Sequence, residues 1–498
     1  MYWIGYDVGS SSIKASLVEA GSGRVVGITQ QPDKEMPITS IEPGWGEQNP
    51  EMWWDNLCKA TAKLIKQTKT DPLKIAGIGI SYQMHGLVLV DKELEVLRDS
   101  IIWCDSRAVD AGNRLLEKAG EDKCLDRLLN SPGNFTLSKL KWVKENEPHI
   151  YEKIYKFLLP GDYIALKITG KCTTTPSGLS EGITWDFKDN KPALWLLEEA
   201  GIDTSVLPEV VPTFSEQGRL TGQASEELGL KTGIPLLYRA GDQPNNALSL
   251  NVFNPGEIAA TGGTSGVVYA ISDVTHTTEG TRINNFAHVN HKPELPRIGK
   301  LLNINGAGIL YRWMKEQISG GTLSYNEMNQ MAATVPVGAA GLRILPFGNG
   351  SERMLNNANI GAGIQNLNFN IHGQHHLYRA ALEGIAFSFV YGIGVLENDG
   401  VELTAIKAGG DNLFRSGLFS RTIATLTDRE IHIVDTTGAV GAARAAGYSY
   451  GDFDSFGDTF SGDEYIATHT PLKDKGAYRQ AYESWKEALL KAQQQFRA

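Results

Sequence analysis

Two short stretches carry residue types that can hold an anion: Asp7-Val8-Gly9-Ser10-Ser11-Ser12 and Thr261-Gly262-Gly263-Thr264-Ser265-Gly266. Each is a turn of glycines and hydroxyls fed by an apolar run. Glycine lets backbone N–H groups approach an anion closely, Ser and Thr add O–H donors, and a carboxylate such as Asp7 can hold the Mg²⁺ that accompanies a nucleotide. Read singly, either stretch is as well a tight turn between strands. The pair, about half a chain apart, points to a phosphate clamp once an acid at a strand end is added. That acid is Asp242. The apolar run over 234–240 closes in a turn, Gly241-Asp242-Gln243-Pro244, where α/β sheets display reactive groups in a crevice. A turn-capping aspartate is the other reading of the same residue.

Phosphoryl transfer asks for charge neutralisation, in-line geometry and somewhere for the acceptor's proton to go. Candidates for all three are present. The chain has no Gly-x-x-x-x-Gly-Lys-Ser/Thr loop and no strand-bound Gly-x-Gly-x-x-Gly fingerprint, which excludes a P-loop and a dinucleotide fold. The phosphate site is therefore of the hairpin kind.

The elements that position these residues alternate in type. Period-2 patterning predicts strands over 2–7, 13–19 and 25–30, the second following the Gly9–Ser12 turn directly. Asn49 and Pro50 open a helix that runs to residue 68, with Trp53, Leu57, Ala60 and Leu64 on one face. A buried strand over 75–81 ends at Tyr82-Gln83-Met84-His85-Gly86. The hydroxyl-rich segment 173–182 reads as loop. After the strand over 234–240 the pattern repeats, with strands across 257–270, helices over 308–317 and 376–398, and a strand over 406–408 that enters Gly409-Gly410-Asp411-Asn412. The run 438–447 is nearly all small residues, fit either to pack tightly on a sheet or to bring backbone close to a ligand.

At 498 residues the chain is long for one core, and two domains facing each other across a cleft are expected. The net charge of −10 and the absence of a long Lys/Arg run argue against nucleic acid or an anionic membrane surface as a partner. Cys58, Cys104, Cys124 and Cys172 lack metal or disulfide spacing and read as reduced thiols. No signal peptide precedes the first strand, and the apolar runs look shorter than the ~20 residues of a membrane span. A cytoplasmic protein is expected.

The motifs together resemble the FGGY carbohydrate kinases of the actin-like ATPase superfamily, and within them the xylulokinases. Gly5-Tyr6-Asp7-Val8-Gly9-Ser10-Ser11-Ser12-Ile13-Lys14 is similar to the first phosphate motif and Gly263-Thr264-Ser265-Gly266 to the second. Trp45-Gly46-Glu47-Gln48-Asn49-Pro50 resembles the Trp-x-Glu-Gln-Asp-Pro segment, and Gln83-Met84-His85-Gly86 the sugar-binding turn, the most discriminating of the set. The run Lys139–Asn146, then Leu345-Pro346-Phe347, Gly350–Arg353 and Ala381–Gly384, follow the family's further signatures.

The resemblance implies two actin-like (ribonuclease-H-like) α/β domains, 1–239 holding the sugar and the first phosphate motif and 240–498 holding ATP, with a catalytic cleft between them. It implies ATP-dependent phosphorylation of D-xylulose to D-xylulose 5-phosphate. Asp242 would be the general base and Asp7 would organise Mg²⁺, with Asp242 beside it as a second metal ligand. Met84, His85, Asp105 and Asp242 would contact the sugar. Gly9, Ser10, Ser11, Lys14, Gly263 and Thr264 would hold phosphates, and Gly306, Gly409, Gly410 and Asn412 would form the adenine pocket. For Asp105 a structural Asp–Arg pair with Arg107 is the competing reading. The segments Thr173–Ser177, Gln243–Asn246 and Ala408–Ser416 depart from the family pattern, and so does Asn366, which leaves L-xylulose, ribulose, fuculose or another polyol as alternative acceptors. A non-enzymatic actin-like ATPase is the alternative from another class, and a homodimer is compatible with the resemblance.

Overall fold

Alternating apolar residues make Tyr2–Val8 (β1), Ile13–Glu19 (β2) and Val25–Gln31 (β3) an antiparallel meander, in which Asp7 lies opposite Lys14. The structure is a computed structural model that describes residues 1–410 and 412–497, without the side chains of Asn412 and Arg497. Asn49 caps Pro50–Thr68 (α1) by accepting the Glu51 N–H, and the helix lays Trp53, Leu57, Ala60 and Leu64 on β2 and β3. Ile75–Tyr82 (β4) runs parallel to β1 and sets Ser81 beside Asp7. Helices Thr136–Asn146 (α2), Pro160–Thr169 (α3) and Pro176–Glu181 (α4) lead to Phe214–Arg219 (β5) and Pro235–Gly241 (β6). The first sheet is then complete in the order β5-β6-β4-β1-β2-β3.

Two expectations change here. Segment 173–182 is not a loop: Thr173–Thr174 is a short strand and α4 follows, because Thr175 accepts the Gly178 N–H and Pro176 fills the first helical position, where a missing N–H costs nothing. Likewise β6 passes straight into the helix Asp242–Ser249 (α5) instead of a turn. Asp242 lies in the first turn, where a carboxylate meets free N–H groups, and Pro244 sits where no intrahelical donor is needed.

The second half repeats the opening logic. Glu257–Gly262 (β7) and Gly266–Ser272 (β8) form an antiparallel hairpin around the second Gly/Thr turn, followed by Asn284–Ala287 (β9), Ile298–Ile304 (β10), Gly308–Trp313 (α6) and Gln374–Asn398 (α7). Ala405–Gly409 (β11) lies parallel to β7 as β4 does to β1. Ile431–Val434 (β12), Gly438–Tyr450 (α8), Tyr465–His469 (β13) and Gly476–Arg497 (α9) finish the chain, and the sheet order is β9-β10-β8-β7-β11-β12-β13.

Helix α8 belongs by sequence to the second half yet packs on β1, β4 and β2 of the first sheet. Its small residues are needed there. A Cβ on Gly5 or Gly79 would run into the backbone of Ala439, Ala442 or Ala443, so helix and sheet touch main chain to main chain. Helix α7 corrects the expectation of short apolar runs, since it is long and apolar enough to cross a membrane; 78% of its apolar window is buried inside the protein, as in the core helix of a folded domain.

Candidate active site

The Gln83–Gly86 turn leaves β4 at the mouth of a cavity of about 450 Å³ that is also lined by Asp242, Gln243 and Ser265. His85 takes a left-handed backbone, φ 63°, and is held by two contacts. Lys139 on α2 donates its ammonium to the carbonyls of His85, at 2.7 Å, and Ile102, at 3.0 Å. The His85 Nδ1 lies 3.0 Å from the Glu181 carbonyl, which can only accept, so Nδ1 carries the proton and Nε2 is left as an acceptor. Burial, reinforced by the Lys139 charge, pushes the imidazole down to about 3, so the ring is neutral at ordinary pH. Burial likewise lowers Lys139 to about 7. Met84 is buried against Gly241, where a Cβ would strike its side chain.

Asp242 stands at the head of α5 and Asp7 near the end of β1. Ser81 donates to Asp7 Oδ1 at 2.9 Å, and Gly438 brings the N-terminus of α8 against the same carboxylate; a Cβ there would lie 2.8 Å from it. Burial first, and then the charge of Asp7, raises Asp242 to about 7, against which the Gln243 N–H works. Two carboxylates so close repel each other, which is the electrostatic setting that a divalent cation relieves.

The first phosphate turn is supported from behind. Gly9 N–H donates to the Ser12 carbonyl at 3.1 Å, Gln48 Nε2 holds the Ser10 carbonyl at 2.7 Å, and Trp103, a cavity-lining residue, donates its indole N–H to Ser10 Oγ at 3.2 Å. Ser11 is exposed and Lys14 half-buried beside it. The second turn borders a separate cavity of about 340 Å³, lined by Gly263 and Thr264 and by Arg312, Tyr325, Asn329 and Arg415. Tyr311 and Tyr325 stack at 5.8 Å on its wall, and Tyr311 donates to Asn329 at 2.9 Å.

Other expected site residues do not line these cavities. Asp105 is fully buried and committed: Gly46 N–H donates to Oδ2 at 2.7 Å, Arg107 N–H to Oδ1 at 2.8 Å, and the Arg107 guanidinium lies 2.7 Å from Oδ2 while stacking over Trp45 at 3.7 Å. It organises the Trp45–Gln48 segment. Gly306 lies under Pro346, where a Cβ would meet a carbonyl, with its N–H held by Glu352. Gly409 ends β11, and Gly410 accepts from Arg415 Nε at 2.6 Å, so it touches the 340 Å³ cavity through that side chain. The side chain of Asn412 lies outside the described residues.

Sequence reasoning missed several groups. Glu181 sits fully buried behind Gly241, without a partner on either carboxyl oxygen among the described residues; burial and then the charges of Asp242 and Asp162 hold it well above the usual carboxylate range. The Thr175-Pro176 helix start was the available signal. Asn284 and Arg353 line the 450 Å³ cavity from the second half; Arg353 closes the Gly350–Arg353 signature but was given no role there, and nothing in the local sequence marks Asn284.

The N-terminal domain of the FGGY family of carbohydrate kinases matches residues 2–249, and its C-terminal domain residues 258–450. A xylulose kinase of Staphylococcus xylosus is 29% identical over 480 residues, covering 94% of each chain. One of Bacillus subtilis is 28% identical over 91% of this chain and 89% of its own. Among solved structures, a xylulose kinase of Rhodospirillum rubrum superposes over 100% of both chains with TM-score 0.89 at 25% identity. A glycerol kinase of Plasmodium falciparum with ADP shares the fold at TM-score 0.86 and 20% identity, over 99% of this chain and 98% of its own.

Proposed function

Because the chain belongs to the FGGY family of carbohydrate kinases, we propose that it transfers the γ-phosphoryl group of ATP to the terminal hydroxyl of D-xylulose, giving D-xylulose 5-phosphate and ADP. The observation that carries this reading is the shared cavity: Asp242, the Met84-His85 turn and Ser265 of the second phosphate hairpin all line it. The relatives named xylulose kinase support the choice of acceptor.

In this reading Asp242 takes the proton from the sugar hydroxyl as its oxygen bonds to the γ-phosphorus and the bond to the ADP oxygen breaks. The alcohol becomes acidic only as the new P–O bond forms, so the base needs aim more than strength. His85 Nε2 accepts from a sugar hydroxyl, and Met84 supplies an apolar wall. Gly9, Ser10, Ser11, Lys14, Gly263 and Thr264 take the phosphates, and adenine enters the cavity beside Tyr325. Gly410 contributes through Arg415, and Gly409 by ending the strand that reaches it. Asp105 has no role toward the sugar here; it holds Arg107.

Mg²⁺ supplies charge neutralisation when bound with the nucleotide. Asp7 and Asp242 would hold it, and their mutual repulsion fits a cation between or beside them. Among the described residues no group of three or more His, Cys, Asp or Glu is placed to bind a metal. The ion would therefore rest on one or two carboxylates and the phosphates, as Mg²⁺ usually does. The same proposal divides the work between residues 1–239 for the sugar and 240–498 for ATP, and takes the enzyme to act in the cytoplasm, as a homodimer to be checked by light scattering. A coupled ADP-release assay over pentuloses, polyols, gluconate and glycerol tests the acceptor: D-xylulose should give the highest kcat/KM, and another sugar tenfold better would overturn that choice while leaving the kinase.

A further inference from the structure

Strand β9 is the edge of the second sheet, yet its free side faces side chains of the first half. Asn130 and Asn285 bond reciprocally, with the Asn285 N–H donating to Asn130 Oδ1 at 3.0 Å and Asn130 Nδ2 donating back to the Asn285 carbonyl. Asn285 Nδ2 reaches the Leu129 carbonyl at 2.8 Å. Ser180 accepts the Ala287 N–H at 2.8 Å, and Ser177 donates to the Ala287 carbonyl at 3.0 Å. Arg353 braces the approach to the strand from the other side, donating to the carbonyls of Gly280 and Ile283. A strand held from both halves presents its side chains in fixed positions.

Side chains alternate along a strand, so Asn284 and Phe286 share a face. Phe286 packs 5.4 Å from His85 and 6.0 Å from Phe135, with Phe135 in turn 4.8 Å from His85. His85 and Phe135 of this trio line the sugar-side cavity from the first half, with Phe286 packed against them, and Asn284 lines it from the second half. Asn284 is 8% exposed, and its Oδ1 has no partner among the described residues. Asn134 lines the same cavity with its Nδ2 given to the Asp105 carbonyl and its own Oδ1 also buried and unpartnered. A buried amide oxygen without a donor is costly, and an amide oxygen can only accept.

We propose that Asn284 is a specificity-determining sugar ligand, which with Asn134 accepts hydrogen bonds from two hydroxyl groups of one acceptor. The inference rests on the kinase reading above and narrows its substrate class to neutral polyhydroxy compounds carrying O–H donors at both positions. An acid-ended sugar would set acceptor against acceptor at one of them. A deoxy sugar would leave a carbonyl unpaired, and sites built to bond a hydroxyl reject analogues that lack it.

The test is steady-state kinetics of the full-length enzyme with D-xylulose, singly deoxygenated D-xyluloses and D-gluconate. Wild type should lose at least about tenfold in kcat/KM with one of the deoxy sugars, and gluconate should be poorer than the parent ketose. Asn284→Ala should raise the KM for D-xylulose about tenfold or more while the KM for ATP stays within twofold, and should erase the penalty of one deoxy sugar. Asn284→Leu, close to asparagine in volume but without an acceptor, gives the same readout if the alanine variant melts early. A sugar KM within twofold of wild type in a folded variant, a deoxy penalty that no variant erases, or gluconate as the better acceptor overturns the proposal. Failure of wild type to phosphorylate any sugar would instead overturn the kinase reading itself.

Discussion

Asp242 is held by opposing influences: burial and Asp7 raise its carboxyl to about 7, while the Gln243 N–H stabilises the charged form. The unfolded chain's aspartate titrates near 3.8, so the folded state binds the proton more tightly, and stability is lost as pH rises from about 4 through 7. Asp242→Asn should therefore raise the melting temperature by a few degrees at pH 8 and hardly at pH 4. The same variant should lose ~10²–10⁴ in kcat, with sugar Kd changed only a few-fold and no rescue by metal. A variant keeping more than about a tenth of wild-type kcat would remove Asp242 from the base role. Asp7→Asn should differ, recovering part of its activity when Mg²⁺ is raised or Mn²⁺ substituted, because it weakens a cation site and leaves the base in place. Asp105→Asn should behave as a structural change: it removes one of the two carboxylates, Asp105 and Glu47, that pair with a buried guanidinium, so thermal denaturation should show a clear loss of stability, on the order of a few kcal/mol, before any selective rise in sugar KM. At this scale the position of Asp242 at a strand end was legible in the sequence. The commitment of Asp105 was not, because only distances tell a buried ion pair from a ligand.

At the scale of elements, the Gly/Ser and Gly/Thr hairpins and the helix α1 that packs on the first of them were readable from turn chemistry and period. Gly9 shows why. It needs no positive φ; what crowds a side chain is the Ser12 carbonyl, 3.1 Å from where a Cβ would stand, so the turn must give by a few tenths of an ångström. Gly9→Val should weaken ATP binding by calorimetry and leave sugar binding and cooperative melting in place, and loss of both ligands together would mark the turn as merely structural. Gly79→Ala should do the reverse. Its Cβ would push α8 away from β4 through the Ala442 carbonyl, so the chain should melt at markedly lower temperature, or fold poorly, with no direct contact to either ligand. The small residues of α8 were visible in the sequence, but the sheet they pack on belongs to the other half, and no local pattern names a partner more than 350 residues away. Helix α4 was missed for another reason: its hydroxyls read as loop until Thr175 and Pro176 are taken together as a cap and first turn.

Across the whole molecule, the halves meet along β9 and again through α8 and α5, so the cleft is built on two seams. If the β9 seam presets the sugar side, Asn130→Ala should raise the sugar KM several-fold and leave the KM for ATP unchanged, because the strand beside Asn284 loses its reciprocal partner. Equal rises in both constants would indicate a general loosening. What the sequence by itself determined was everything written within a dozen residues: strand and helix periods, the Gly/Ser and Gly/Thr hairpins, the Asn49 cap, and the acid that ends an apolar run. The tertiary structure alone decided which half lends a helix to the other's sheet, that Asp105 is spent on Arg107, and that Asn284 faces the sugar-side cavity. Local order follows from backbone sterics and capping, which act between near neighbours. Burial, unpartnered oxygens and shifted carboxyls follow from what distant segments bring together in a low-dielectric interior.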